Sequence, residues 1–191
     1  MKNIILASAS PRRKELLANL GLEFTVIPAD IKEDFNATIK PHELAQELSQ
    51  EKAKAVTGKV KNALVIAADT FIIYRGKIMG KPHTTAEAYD MLQTLNGKSH
   101  KVITGFTIID TENGKSISRS VETKVFMKKL TPAEINNYVM SGEPLDKAGA
   151  YAIQGLGATI IEKITGDYFN IVGLPLSALA ESLREFGIHI L

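Results

Sequence analysis

Residues 8–14, Ser8-Ala9-Ser10-Pro11-Arg12-Arg13-Lys14, set two serines and three consecutive cations where an apolar run gives way to a helix. A helix N-terminus carries unpaired backbone N–H groups and the positive end of the dipole. Cations oppose that dipole, so their presence beside hydroxyls points to an anion site suited to a polyphosphate. A well-capped helix with a solvated basic first turn is the competing reading, and Lys14 suits it better than the arginines do. Asp69 sits in Ala67-Ala68-Asp69-Thr70, within an apolar stretch from Ala63 to Ile73. A carboxylate buried there must be paired, metal-bound or catalytic, because burying it alone is costly. At a strand edge or bulge facing water it would need none of these. Glu33 follows in a polar segment and could join Asp69 at a divalent cation, although Asp30 and Asp34 are equally placed by spacing.

Lysines form a second group. Gly80-Lys81-Pro82 is a rigid turn presenting one ammonium, and Lys52 lies late in a helical segment. Either alone is more often a surface lysine than a ligand. His100, near Thr104-Gly105, has a catalytic and a structural reading, the latter commoner for a histidine opening a strand. Residues 146–155, Asp-Lys-Ala-Gly-Ala-Tyr-Ala-Ile-Gln-Gly, are rich in small side chains that let backbone approach a ligand. Gln154 there offers both a donor and an acceptor to a base edge, or serves only as a turn residue.

These side chains need a scaffold of strands and helices in alternation. Residues 3–7 form a buried strand, and Ser10 caps a helix that starts at Pro11 and stops near Leu20 before Gly21. A short strand over 23–28, a helix over 41–57 ending at Gly58 and a long strand over 63–74 follow, with a returning segment after Arg75-Gly76-Lys77. A helix over 84–96, a hairpin of 101–110 with 116–127, and a helix to Ser141 capped by Thr131-Pro132 come next. Strands near 148–153 and 158–164 precede a last helix over 176–186. Because hairpins interrupt the alternation, the fold class is α/β with a mixed twisted sheet and flanking helices, in a single domain over residues 1–191.

Composition narrows the function classes. The chain has 191 residues, 45% of them apolar, enough to bury a core. Its 23 basic and 21 acidic residues are interspersed, so a net charge of +2 gives no nucleic-acid surface. There are no cysteines, which excludes disulfides, thiolate metal sites and thiol nucleophiles. Neither a signal peptide nor the roughly 20 apolar residues of a transmembrane helix are visible, so a cytoplasmic protein without membrane attachment is expected. P-loop, dinucleotide and nucleophile-elbow motifs are missing. The residues by themselves support a metal-assisted enzyme acting on a phosphorylated ligand.

Taken in order, LASASPRRKELL, QEKAKA, AADT, GKP, HKVITG, GEPLDKAGAYAIQG and GDYFNIVGLPL closely resemble the Maf family of nucleotide pyrophosphatases. The likeness runs from residue 6 to about 176. It implies a two-lobed fold related to the inosine triphosphate pyrophosphatases, with a cleft between lobes and a homodimer. It also implies cleavage of nucleoside triphosphates between the α- and β-phosphates with Mg²⁺ or Mn²⁺. Asp69 matches the family's proton acceptor; Ser8, Arg12, Arg13, Glu33, Lys52 and Lys81 match positions lining the phosphate and metal site. Asp69-Thr70 and residues 147–155 resemble the branch that cleaves dTTP and UTP, rather than the 7-methyl-GTP branch. Arg12, Thr70 and Gln154 match positions associated with base choice. Lys32 departs from the family, which often has an acid before Glu33, and Phe71 replaces a common valine. The expectation is therefore hydrolysis of dTTP or UTP to the monophosphate and pyrophosphate, with Glu33 and Asp69 holding the metal. Two rivals are a phosphatase releasing inorganic phosphate and a nucleotide-binding regulator of septum formation without turnover.

Overall fold

The computed structural model describes residues 2–31 and 39–191. Glu33, with Lys32 and Asp34, lies outside the described residues. Among those described, seven strands join one mixed sheet: β1 (Asn3–Leu6), β2 (Thr25–Val26), β3 (Ala63–Tyr74), β4 (Lys77–Met79), β5 (Ser99–Asp110), β6 (Ser116–Met127) and β7 (Ile161–Thr165). The order is β2-β1-β3-β5-β6-β7, with β4 also on β3. β1 runs parallel to β2 and β3, whereas β3–β4 and β6–β7 are antiparallel. The expected α/β class with a mixed sheet and flanking helices is present.

The helices are α1 (Pro11–Ala18), α2 (Pro41–Thr57), α3 (Thr85–Leu95), α4 (Pro132–Met140), α5 (Tyr168–Val172) and α6 (Leu176–Arg184). The starts of α1, α3 and α4 follow capping chemistry. Ser10, Thr84 and Thr131 each accept a backbone N–H three residues on, and Thr131 with Glu134 completes a capping box. No helix among the described residues is long and apolar enough to cross a membrane.

Two expected strands differ. Residues 148–153 form no strand, because Gly149 and Ala150 both take positive φ, 66° and 62°, which breaks an extended ladder. A 3-10 turn, Ala148–Ala150, stands there instead, and a second, Gly155–Ile160, delays the following strand to Ile161. The short helix α5 had no separate signal within its apolar run.

The chain divides into two compact units. The first comprises Met1–Thr70, Thr104–Val121 and Gly173–Leu191. Its apolar core includes Ile5, Ala7, Ala53, Val56, Val65, Ala67 and Ile109, small or β-branched side chains that let a helix pack closely on strands. Closest of all is Gly105: a Cβ added there would lie 2.0 Å from the carbonyl oxygen of Ala45. Here α2 rests on β5 backbone against backbone. The second unit comprises Phe71–Ile103 and Glu122–Val172. Its core gathers Ile72, Leu92, Leu95, Val102, Val125, Ile135, Val139 and Tyr151.

Candidate active site

In the first unit, the periods of one helix and one strand bring two opposite charges together. Lys52 stands seven residues, or two turns, beyond Ala45 and so shares its face of α2. Between them, the Ser49 hydroxyl lies 2.7 Å from that of Thr107 on β5, a buried contact that fixes the helix's rotation. Lys52 Nζ then reaches Asp69 Oδ1 on β3. Both side chains are largely buried, at 11% and 4% exposed, so neither charge has water to fall back on. Asp69 Oδ2 is buried and has no hydrogen-bond partner among the described residues. Of the two readings of Asp69, the buried and paired one is observed, with Lys52 as its ion partner.

Beside this pair, Arg13 acts as a cross-link. Nε donates to the carbonyl of Gly173 at 2.8 Å, Nη2 to Thr70 Oγ1 at 3.0 Å and Nη1 to Ser8 Oγ at 3.4 Å. Thr70 Oγ1 is also 2.9 Å from Thr104 Oγ1. Ser8 Oγ accepts in addition the Ser10 N–H, so the turn into α1 is held from its own side. Gly173, at φ 125°, takes a backbone conformation that favours glycine and places its carbonyl on the guanidinium. Arg12 is half-buried on α1 and Lys14 is exposed. Ser8, Arg13, Lys52, Asp69 and Thr70 are thus linked in the two clusters just described, joined through the adjacent positions 69 and 70. Sequence reasoning missed Gly173 and assigned no such part to Thr104. The polar threonine inside the apolar run of β5 was the signal that could have found the latter.

One observation bears on a divalent cation. A buried carboxylate oxygen left without a partner is the hard anionic donor that Mg²⁺ or Mn²⁺ takes, so Asp69 Oδ2 fits such an ion. Among the described residues, no three His, Asp or Glu side chains cluster closely enough to hold a metal. The second expected ligand, Glu33, falls outside them.

The second unit carries the remaining candidates, Lys81 and Gln154. Lys81 is exposed, and its turn is tied down where the Gly149 N–H donates to the Gly80 carbonyl at 2.9 Å. Gln154 is half-buried, with extended backbone. His100 is buried, its Nε2 lies 2.6 Å from the Tyr151 hydroxyl, and burial lowers its pKa to about 4. A buried imidazole packed edge-to-face on Tyr151 fits the structural reading.

A family model described as Maf-like protein matches residues 3–186. A dTTP/UTP pyrophosphatase of Thermoanaerobacter pseudethanolicus is 52% identical over 190 residues, covering 98% of this chain and 99% of that protein. One from Alkaliphilus metalliredigens is 46% identical over 193 residues, covering all of both chains. Among solved structures, a nucleoside-triphosphatase, or dITP/XTP pyrophosphatase, of Mycobacterium abscessus aligns with TM-score 0.43 and 11% identity over 97% of this chain and 95% of its own. The Ham1 protein of Staphylococcus aureus aligns with TM-score 0.45 and 17% identity, covering 84% and 80%.

Proposed function

The chain belongs to the Maf-like protein family, and we propose that it hydrolyses dTTP and UTP to the nucleoside monophosphate and pyrophosphate. Full-length relatives at 46–52% identity that carry the name dTTP/UTP pyrophosphatase support the substrate. The observation that carries the chemistry is Asp69, buried, with Lys52 on one oxygen and the other oxygen without a partner among the described residues.

In this reading a water molecule attacks the α-phosphorus, and the bond from that phosphorus to the oxygen bridging to the β-phosphorus breaks. Asp69 orients the water and accepts its proton, while Lys52 holds Oδ1 and with it the plane of the carboxylate. Arg12, Lys52 and Lys81 supply positive charge toward the triphosphate and the departing pyrophosphate. Arg13 contributes its charge and keeps Ser8 and Thr70 in register. Asp69 and Glu33 would hold Mg²⁺ or Mn²⁺, which when bound offsets charge on the phosphate oxygens. Gln154 reads the Watson–Crick edge of the base, with Arg12 and Thr70 contributing to base choice.

The test is a panel of dTTP, UTP, CTP and 7-methyl-GTP with Mg²⁺ or Mn²⁺, with every product identified. Monophosphate and pyrophosphate from dTTP and UTP are expected. Diphosphate with inorganic phosphate would identify a phosphatase, and binding without any product would identify a regulator.

A further inference from the structure

Gln154 sits in a loop whose two flanks end on the same pair of side chains. Tyr138, buried on α4, donates its hydroxyl to Glu143 Oε1 at 2.8 Å and accepts the Ala152 N–H at 3.1 Å. Glu143 Oε1 also accepts the Gly157 N–H at 2.9 Å, and Oε2 accepts the Leu156 N–H at 3.0 Å. One backbone donor before Gln154 and two after it therefore converge on two side chains that bond each other.

The glycines confirm how tightly the loop closes. A Cβ at Gly157 would lie 2.2 Å from the Ala152 carbonyl oxygen and 2.6 Å from the Tyr138 hydroxyl. One at Gly155, whose φ is 65°, would lie 2.5 Å from Glu143 Oε2. Only glycine lets these strands of backbone meet the pair. The pair is itself placed by sequence-local devices: the capping box that starts α4, and the left-handed Gly142 that ends it and turns the chain into Glu143. Burial disfavours ionised Glu143, but hydrogen bonds from Gly157, Tyr138 and Leu156, with the charge of Lys147, outweigh it and leave its pKa below the usual range. The carboxylate thus keeps full acceptor strength at neutral pH.

We propose that Tyr138 and Glu143 are positioning residues for base selection, a clamp that sets the loop of Gln154 before substrate arrives. This rests on the reading that Gln154 recognises the base. A six-residue loop free to move would have to be ordered on binding, at a cost in affinity; here folding has already ordered it. The clamp acts on which base is accepted and leaves phosphate recognition alone.

The test compares Tyr138→Phe, Glu143→Gln and Gln154→Ala in the full chain. The readouts are kcat and KM for dTTP, UTP and dATP, inhibition by inorganic tripolyphosphate, and hydrogen exchange at residues 152–157. For Tyr138→Phe, the preference for dTTP over dATP should fall about fivefold to tenfold, the worth of one or two hydrogen bonds, through KM rather than kcat. Exchange at Ala152, Leu156 and Gly157 should quicken while tripolyphosphate inhibition stays unchanged. Should Glu143→Gln fail to fold, Tyr138→Phe carries the test. A preference altered by Gln154→Ala but untouched by Tyr138→Phe would overturn the clamp alone. A preference unaltered by Gln154→Ala would overturn the base-reading role and the clamp's function with it. A fall in tripolyphosphate inhibition equal to the fall in dTTP affinity would mark the pair as merely structural.

Discussion

The first unit carries its candidate chemistry on regular elements: Lys52 on a helix, Asp69 and Thr70 on a strand, Arg13 in the first turn of another helix. The second carries Gln154 in a loop whose neighbours are three glycines, 149, 155 and 157, and whose shape is set by backbone donors meeting Tyr138 and Glu143. In the first, charges are held by opposite charges and hydroxyls, with no freedom left once helix and strand have packed. In the second, the chain is folded back on itself by hydrogen bonds and close approach. Under the proposed function the difference is a division of labour. Turnover calls for a fixed charge geometry, while selection calls for a shaped edge that a loop can present.

The largest effect should come from the charge side of that comparison. Asp69→Asn is expected to lower kcat about 10²- to 10⁴-fold, the range for a positioned proton acceptor, with binding of a non-hydrolysable dTTP analogue retained. Near-normal turnover would remove Asp69 from the chemistry.

The next should fall on the second unit and on stability. His100 takes a proton near pH 6.5 in the unfolded chain and only near 4 when folded, so between these values the unfolded chain binds more protons. Its contribution is full above about pH 6.5 and is lost as the pH falls toward 4, on the order of 3 kcal/mol. Unfolding free energies measured across that window should fall more steeply with falling pH for the protein than for His100→Gln; equal slopes would refute the buried neutral imidazole.

Gly105→Ala sharpens the comparison further. The added methyl meets backbone atoms of Ala45 and Gln46, so α2 must shift, at a cost of about 1–3 kcal/mol. Because Lys52 rides on α2, kcat should fall while the preference among bases stays as it was. A variant with normal melting temperature and normal kcat would show that the helix does not set the Lys52–Asp69 pair. Gln154→Glu should do the reverse and less: activity on dTTP and UTP drops about tenfold, as expected when a base edge meets a mismatched partner, with the Mg²⁺ requirement unaltered. Unchanged activity on both substrates would count against Gln154 as a base reader.

The regular half of the molecule was legible because its signals are local. Ser10-Pro11, Thr131-Pro132 and the apolar run around Asp69 mark helix starts and a buried strand within a few residues, and α2 and β3 begin and end where periodicity placed them. The loop was not legible in the same way. Residues 148–153 contain alanine, tyrosine and isoleucine and read as a strand, but Gly149 and Ala150 adopt left-handed backbone.

By itself, then, the sequence determined the α/β class, most element boundaries and the residue types able to handle a phosphorylated ligand. Capping, periodicity and the cost of a buried carboxylate all act between near neighbours. Only the tertiary structure decided that Lys52 pairs with Asp69 across 17 positions, that Arg13 reaches Thr70 across 57 and Gly173 across 160, and that Tyr138 and Glu143 close the loop around Gln154. Those contacts depend on how elements pack, on rotations of a helix and close approaches at glycine, which no short stretch of residues encodes.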